Sequence, residues 1–219
     1  MATPAVKIAL LGAESTGKTQ LSADLAAALR GQGLCVAVVP EVLREWCMRE
    51  GRTPRPEEQL PIAQEQERRV DEAAAGADIV IADTTAVMIA IYSAMLFEDG
   101  TLYRFALERQ RGYHATLLTG LDLPWVADGL QRDGPHVREP VDALVREALG
   151  RAGVSYRTVY GQGPDRLASA LAAIAPLLPA SFAPDAAPAA SRPWIWTCDK
   201  CSDPDCEHRL FTSLAGRER

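Results

Sequence analysis

The sequence predicts an α/β fold in which a parallel sheet of five strands carries helices on both faces. Short apolar runs alternate with longer segments that carry charged residues at helical spacing. Crossover connections through such helices make consecutive strands parallel and cover both faces of the sheet. The first apolar run leads directly into a glycine-rich turn, GAESTGKT, and a helical pattern follows. A strand, a glycine-rich turn and a helix in this order indicate a phosphate-binding loop at the edge of the sheet.

The predicted elements fall within residues 1–178, which we expect to form one domain. Strands are expected at residues 6–11, 34–39, 79–82, 115–119 and 155–160. Helices are expected at residues 20–30, 41–50, 57–75, 85–96, 101–111, 141–151 and 165–178. A chain of 219 residues can bury one good-sized core, because most domains contain ~100 to 200 residues.

The composition disfavours nucleic acid and membranes as partners of the protein. The chain has 23 basic and 29 acidic side chains, which give a formal charge of −6. This balance disfavours a large sequence-independent surface for nucleic acid, whose phosphates attract positive charge. No apolar stretch approaches the ~18 residues of a membrane span, and the amino terminus has no signal-peptide pattern. We therefore expect a cytoplasmic protein without a membrane partner.

The glycine-rich turn is expected to bind the phosphates of ATP. Its residues are Gly12, Ala13, Glu14, Ser15, Thr16, Gly17, Lys18 and Thr19. Glycines let the backbone curl so that successive N–H groups face phosphate oxygens, and the following helix adds its positive amino-terminal end. Lys18 would reach the β- and γ-phosphates, and Thr19 would offer its hydroxyl to Mg²⁺.

Asp83 is the second expected catalytic residue. It ends the apolar run 79–82, which places its carboxylate at the carboxyl edge of the sheet beside the phosphate-binding loop. There it could hold Mg²⁺ or accept a proton from a substrate hydroxyl. The alternative is a helix cap, because Asp83, Thr84 and Thr85 precede a helical pattern and all three residue types cap well.

Glu41 and Arg44 follow the second predicted strand and lie on one face of the next helix. Ligands of open α/β sheets bind at this carboxyl edge. A carboxylate there suits a sugar diol and a guanidinium suits a phosphate, so both residues are candidates for substrate binding. The alternative is an acid at a helix start that pairs with a surface arginine.

The segment after the fourth strand contains a third group of candidates: Asp128, Arg132 and Arg138. A mobile lid with arginines would shield the reaction from water and neutralise charge on the transferred phosphoryl group. The two arginines are therefore candidate catalytic residues. The alternative is a solvated charged loop with a turn at Asp128.

Three of these stretches resemble the ribosylnicotinamide kinase domain of the bacterial NadR proteins, a group of P-loop ATPases and kinases. They are GAESTGKT with its helix, the pair Glu41-x-x-Arg44, and Pro-Trp-Val-Ala-Asp-Gly-Leu at residues 124–130. The resemblance extends over about residues 6–178 and leaves the tail unexplained. It implies a nucleoside-kinase-like P-loop fold and a role in NAD biosynthesis.

The resemblance also implies a reaction. ATP would bind the loop and nicotinamide riboside would be phosphorylated on its 5′-hydroxyl. Lys18, Thr19 and Asp83 match the family's ATP-binding and catalytic positions, and Glu41 and Asp128 match weaker candidates for the substrate. The family often has Asp-Thr-Asp after the third strand, whereas this chain reads Asp-Thr-Thr from Asp83.

The last part of the chain predicts a linker and a zinc site. Residues 179–193 are rich in proline and alanine and lack helical periodicity. Residues 194–219 contain four candidate zinc ligands: Cys198, Cys201, Cys206 and His208. A tetrahedral Zn²⁺ would order this tail, although another ligand could replace His208 because its spacing is tight. The alternative is a redox or unbound thiol cluster.

The residues leave two main functions open. The first is an ATP·Mg²⁺-dependent small-molecule kinase with nicotinamide riboside as the leading acceptor. The second is a regulatory P-loop ATPase whose zinc tail contacts another macromolecule, such as a protein partner. A nucleic-acid-binding tail is disfavoured, because acidic residues surround the cysteines.

Overall fold

A computed structural model describes residues 4–126 and 134–179 of the protein. Its centre is a five-stranded parallel sheet with the strand order β2-β3-β1-β4-β5. The strands are β1 (Val6–Leu11), β2 (Val36–Val39), β3 (Ile79–Asp83), β4 (Ala115–Thr119) and β5 (Arg157–Val159). The predicted parallel sheet of five strands is confirmed. The linker beyond residue 179 and the tail 194–219 lie outside the described residues.

Helices connect the strands in the predicted order. They are α1 (Lys18–Gly31), α2 (Val42–Glu50), α3 (Pro56–Ala74), α4 (Ala86–Phe97), α5 (Leu102–Gln110), α6 (Arg138–Ala152) and α7 (Pro164–Ile174). Two bounds differ from the prediction by three residues or more. Helix α6 begins earlier than expected, after a 3-10 turn at Pro135–Val137. Helix α7 ends earlier and passes into a 3-10 turn at Ala175–Leu177, where Pro176 has no N–H to continue it.

The pairing of the strands brings their carboxyl ends to one edge of the sheet. Strand β1 lies between β3 and β4, with Leu10 opposite both Asp83 and Leu117. In a parallel sheet this edge is where the connecting loops form the ligand crevice. The register therefore places the end of β1, Asp83 and the end of β4 beside one another.

Alternating side chains of the strands fill two apolar layers, one on each face of the sheet. Helices α1 and α7 cover one face, packing against Ile8, Leu10 and Leu117. Helices α3, α4 and α6 contribute to the clusters on the other face, where Leu11 and Leu118 are fully buried. The prediction of helices on both faces is confirmed. Across the described ranges, no helix is both long and apolar enough to cross a bilayer.

Candidate functional site

The glycine-rich turn forms a closed loop between β1 and α1. Helix α1 starts at Lys18, directly after Gly17, whose φ of 75° is a left-handed conformation. The Nζ of Lys18 donates to the carbonyls of Gly12 and Ala13, at 2.8 Å each. Thr19 follows in the first helical turn and is exposed. The ammonium group thus lies across the loop, beside the backbone that would surround a phosphate.

Thr119, the last residue of β4, holds the base of this loop. Its hydroxyl oxygen lies 2.6 Å from that of Thr16 and 3.0 Å from the carbonyl oxygen of Leu11. Thr16 in turn donates to the carbonyl of Ala13 at 2.8 Å. A Cβ on Gly12 would lie 2.1 Å from the Thr119 hydroxyl oxygen, so only glycine fits there. Sequence reasoning missed Thr119, because nothing local in β4 marks it.

A buried ion pair fastens the other side of the loop. Arg166, which is 4% exposed, donates to the carbonyl of Thr16 at 2.7 Å and to that of Gly161 at 2.8 Å. It also donates to a carboxylate oxygen of Asp122 at 3.0 Å, and the second oxygen of Asp122 accepts from the N–H of Gly161 at 2.6 Å. Arg166 therefore connects the phosphate-binding loop to the loops after β4 and β5. The sequence analysis did not identify Arg166 or Asp122.

Asp83 is buried at the end of β3, and its side chain is 3% exposed. Its Oδ1 has no hydrogen-bond partner among the described residues. Of the three residues named in the cap alternative, Thr85 is the cap of α4 and accepts from the N–H of Val87 at 3.3 Å, so Asp83 is not the cap. A buried carboxylate oxygen without a donor is costly, and a metal ion or a substrate hydroxyl would satisfy it.

Thr85 faces away from this edge. Its hydroxyl donates to the Oε1 of Gln110 at 2.7 Å, and the Nε2 of Gln110 donates to Thr116 at 2.9 Å. Position 85, where the resembling family often has an acid, is therefore a structural position in this chain.

Glu41 and Arg44 lie where β2 leads into α2, at the same carboxyl edge. Glu41 occupies the cap position of α2 without a capping bond from its side chain. Gln66 of α3 makes that contact instead, with its Oε1 accepting from the N–H of Val42 at 2.9 Å. Arg44 and Glu41 form an ion pair of 3.3 Å, as the surface-pair alternative expects. Glu41 is the more buried partner, with 16% of its side chain exposed.

Arg138 is the one lid candidate that the described ranges include, since Asp128 and Arg132 lie outside them. It is the first residue of α6 and is only 8% exposed. Its Nη2 donates to the carbonyl of Leu121 at 3.2 Å, while its Nε has no partner within the residues that the structure describes. Burial lowers the pKa of Arg138; Asp122 opposes this effect and the neighbouring Arg166 adds to it. Arg138 is thus part of a buried, positively charged group behind the loop.

The segment that leads toward the undescribed part of the lid passes beside the phosphate-binding loop. The hydroxyl of Ser15 lies 2.7 Å from the carbonyl oxygen of Val126 and 3.1 Å from its nitrogen. A Cβ on Gly17 would lie 2.9 Å from Leu123 of the same segment. The predicted lid therefore starts in contact with the nucleotide loop.

The predicted zinc ligands Cys198, Cys201, Cys206 and His208 lie outside the described residues. Within 4–126 and 134–179, no group of three or more histidine, cysteine, aspartate or glutamate side chains could hold a metal ion. The zinc site of the tail stays a prediction, as does magnesium at Thr19 and Asp83.

Comparisons with known proteins agree with this geometry. A family model described as an AAA domain matches residues 7–166. Crystal structures of NadR in complex with NR and in complex with NAD and AMP-PNP have TM-scores of 0.64 and 0.62, at 16% and 18% identity. Each likeness covers 78% of this chain, which spans about half of the NadR chains, 50% and 48%.

A smaller protein shows the same likeness over its whole length. Thymidylate kinase from Ehrlichia chaffeensis has a TM-score of 0.55 at 13% identity, and the likeness covers 80% of this chain and 100% of the kinase. No curated protein sequence matches the chain significantly. The resemblance to NadR is confirmed at the level of the fold. The family match spans well over half of the chain, and the protein therefore belongs to the AAA domain family, with the P-loop α/β fold that NadR and thymidylate kinase share.

Proposed function

We propose that the protein is an ATP-dependent kinase that transfers the γ-phosphoryl group to the hydroxyl of a nucleoside, with nicotinamide riboside as the leading acceptor. The observation that carries this proposal is the position of Asp83. Its buried carboxylate oxygen lacks a partner within the described residues and lies at the sheet edge that also carries the phosphate-binding loop. The fold shared with NadR, whose structure contains NR, supports the choice of acceptor.

The loop supplies the seat for ATP. Its backbone N–H groups and the start of α1 face the phosphates, and Lys18 can exchange its two carbonyl partners for phosphate oxygens. Asp83 and the hydroxyl of Thr19 would hold Mg²⁺, since both offer the oxygen ligands that this ion prefers. Bound Mg²⁺ would neutralise charge on the phosphates during transfer.

Asp83 has a second role open to it at the same position. A carboxylate that accepts the proton of the acceptor hydroxyl makes that oxygen a better nucleophile as the phosphoryl group moves. Glu41 and Arg44 of α2 stand at the neighbouring strand end and would bind the acceptor, with the carboxylate toward a ribose diol. Asp128 of the predicted lid would assist them.

Arginines would stabilise the charge that develops during transfer. The Nε of Arg138 has no hydrogen-bond partner among the described residues, and Arg138 and Arg166 together provide two buried guanidinium groups near the carboxylate of Asp122. This surplus of positive charge behind the loop suits a polyanion in front of it. Arg132 would add a further cation from the lid.

A coupled assay of ADP release with a panel of nucleosides tests the proposal. We expect nicotinamide riboside to stimulate ADP release and to yield its 5′-phosphate, detected by mass spectrometry. Another nucleoside as the preferred acceptor would correct the substrate alone. Turnover that needs no nucleoside and rises with a protein partner would instead support the regulatory ATPase.

Two substitutions test the residues. Lys18→Ala should lower turnover by at least about 10³-fold, because a main electrostatic contact to the phosphates is lost. Asp83→Asn should lower kcat by about 10² to 10⁴-fold, whichever of its two roles applies. Lys7→Ala and Asp24→Asn are matched controls, since Lys7 pairs with Asp71 and Asp24 pairs with Gln20 away from the site. Equal activity of Asp83→Asn and wild type would contradict the proposal.

A further inference from the structure

Glu67 is a buried carboxylate to which the proposed reaction gives no role. It lies on α3 and is 3% exposed. Its Oε1 accepts from the backbone N–H of Ala86 at 3.0 Å, and its Oε2 accepts from the hydroxyl of Tyr113 at 3.1 Å. The Nε of Arg109 lies 3.7 Å from the same Oε2. A carboxylate so deeply buried needs a reason to be there, because an apolar side chain would be cheaper to bury.

The contact with Ala86 reaches the segment that carries Asp83. Ala86 is the first residue of α4, and only Thr84 and Thr85 separate it from Asp83. Thr84 has a φ of 87°, a conformation that β-branched residues strongly disfavour. Its N–H donates to the carbonyl of Leu10 at 3.1 Å. Such a conformation persists only when surrounding contacts on both sides hold it.

A second side chain holds the same segment from another helix. Gln110 of α5 accepts from the hydroxyl of Thr85 at 2.7 Å and is itself fixed by its bond to Thr116. Glu67 and Gln110 thus form hydrogen bonds to the adjacent residues Ala86 and Thr85 from two different helices. We call this pair the α4 clamp.

We infer that Glu67 is a positioning residue for Asp83: by capping α4 at Ala86, it keeps the strained turn at Thr84 and so aims the Asp83 carboxylate at the reacting groups. The inference rests on the proposed function of Asp83. The contact that matters is the acceptor oxygen at the helix start, where an exposed N–H would otherwise lack a partner.

The surroundings keep Glu67 in place. Arg109 also forms an ion pair with Asp71, and Asp71 accepts from the Nζ of Lys7 at 2.7 Å. Arg109 thus pairs with both Glu67 and Asp71. Asp71 therefore shares the network without contacting the clamp, and this makes it a suitable control.

Two substitutions of Glu67 distinguish the effect of its side-chain length from the effect of its charge. Glu67→Asp keeps the charge but shortens the side chain, so that it no longer reaches Ala86. Glu67→Gln keeps the length and an acceptor oxygen but removes the charge. We expect Glu67→Asp to lower kcat by about 10- to 100-fold with the KM for ATP within about twofold, because a small misplacement of a catalytic group costs this much. Glu67→Gln should stay within about threefold of wild type in kcat, and so should Asp71→Asn.

Three results would overturn the inference. The first is a wild-type kcat for Glu67→Asp, and the second is a kcat for Glu67→Gln as low as that of Glu67→Asp. The third is a rise in the KM for ATP that matches the fall in kcat, which would indicate general damage to the nucleotide site. Thermal unfolding of each variant checks that it is folded, and Gln110→Met serves as a second variant of the clamp with the same expected loss in kcat.

The inference and the proposed function can fail separately. If wild type hydrolyses ATP without phosphorylating any nucleoside, the proposed function fails and the same variants are compared in hydrolysis. If wild type shows no turnover, amide hydrogen exchange at residues 84–88 decides. Faster amide exchange in Glu67→Asp than in Glu67→Gln would support the positioning role of Glu67, and equal exchange in both variants would contradict it.

Discussion

Gly12 carries the most severe steric requirement in the site. Its φ of 145° and the 2.1 Å distance from a built Cβ to the Thr119 hydroxyl oxygen leave no room for a side chain. The contact lies at the point where the loop leaves β1, so a shift there moves every amide that faces a phosphate. Nucleotide affinity should therefore be more sensitive to this position than to any exposed glycine.

We predict that Gly12→Ala weakens ATP binding by at least about tenfold and also lowers the free energy of unfolding, because the strained backbone and the collision both cost energy. Isothermal titration calorimetry and urea unfolding measure the two effects. Gly31→Ala is the control, since Gly31 ends α1 with no atom within 4 Å of a built Cβ. Unchanged ATP affinity in Gly12→Ala would contradict the prediction and show that the loop can move to accept a side chain.

At the residue scale, the sequence predicted the loop but not what holds it. GAESTGKT is a local pattern, and its glycines and Lys18 could be assigned from it directly. Thr119 and Arg166 act through contacts that span 103 and 150 residues, and no local pattern records such a pairing. Asp83 became a candidate because it ends an apolar run, and only the structure shows that Thr85, not Asp83, caps α4.

At the scale of elements, one ion pair joins the loops after β1, β4 and β5. The side chain of Arg166 is only 5% exposed, so its charge stays buried when its partner Asp122 is lost. We predict that Asp122→Ala lowers the free energy of unfolding by about 3 kcal/mol, as expected when a buried charge loses its partner. Chemical denaturation measures this value.

The control for this prediction is Asp24→Ala on the outer side of α1, which should stay within about 0.5 kcal/mol of wild type. A loss of similar size in both variants would mean that the Asp122 pair is no stronger than a surface contact. A loss of ATP affinity in Asp122→Ala would indicate that this ion pair also maintains the conformation of the phosphate-binding loop.

The contact between α3 and α4 predicts a pH dependence of stability. Burial raises the pKa of Glu67, against the opposing bonds from Ala86 and Tyr113. The protonated carboxyl of Glu67 is therefore favoured in the folded protein relative to the unfolded chain. Its contribution to the free energy of unfolding is fully present below the ordinary carboxyl pKa and is lost as pH rises through the raised pKa. The difference in the free energy of unfolding between wild type and Glu67→Gln should therefore fall as pH rises from about 4 through the raised pKa of Glu67.

Glu58 provides a control of opposite sign. The Arg52 side chain and the backbone N–H of Arg55 lower the pKa of Glu58 to about 2. Its contribution is therefore present above the ordinary carboxyl pKa and is lost as pH falls toward that value. Urea unfolding of Glu58→Gln and Glu67→Gln over a pH series should give differences of opposite slope, and equal slopes would contradict the assignment for Glu67.

Most strands and helices could be predicted, because the spacing of apolar residues differs between the two kinds of element. The strand at residues 115–119 was placed without error, since this short run of apolar residues and threonines lies between His114 and Gly120. The predicted start of helix α6 was too late, because Arg138 was assigned to the lid. Its side chain is buried and donates to the carbonyl of Leu121, a tertiary contact that no local pattern records.

At the scale of the whole molecule, the resemblance to NadR was predictable over the α/β domain. The zinc tail rests on its cysteine spacing alone. We predict about one zinc per chain after purification without chelator, measured by mass spectrometry, because a short segment without an apolar core needs a metal to order it. A double substitution, Cys198→Ser with Cys201→Ser, is the control and should contain none. Less than about half a zinc per wild-type chain would contradict a tight structural site.

The central position of β1 has a consequence for biogenesis. This strand precedes its neighbours β3 and β4 in the chain, and Leu11 waits for Thr119, which is 108 residues further along. Until those strands emerge, a nascent chain on the ribosome presents an apolar segment with unsatisfied edges. Pairings between such distant segments also form slowly. Aggregation and chaperone capture should therefore concentrate before residue 119 emerges, and the nucleotide loop should be among the last parts to mature.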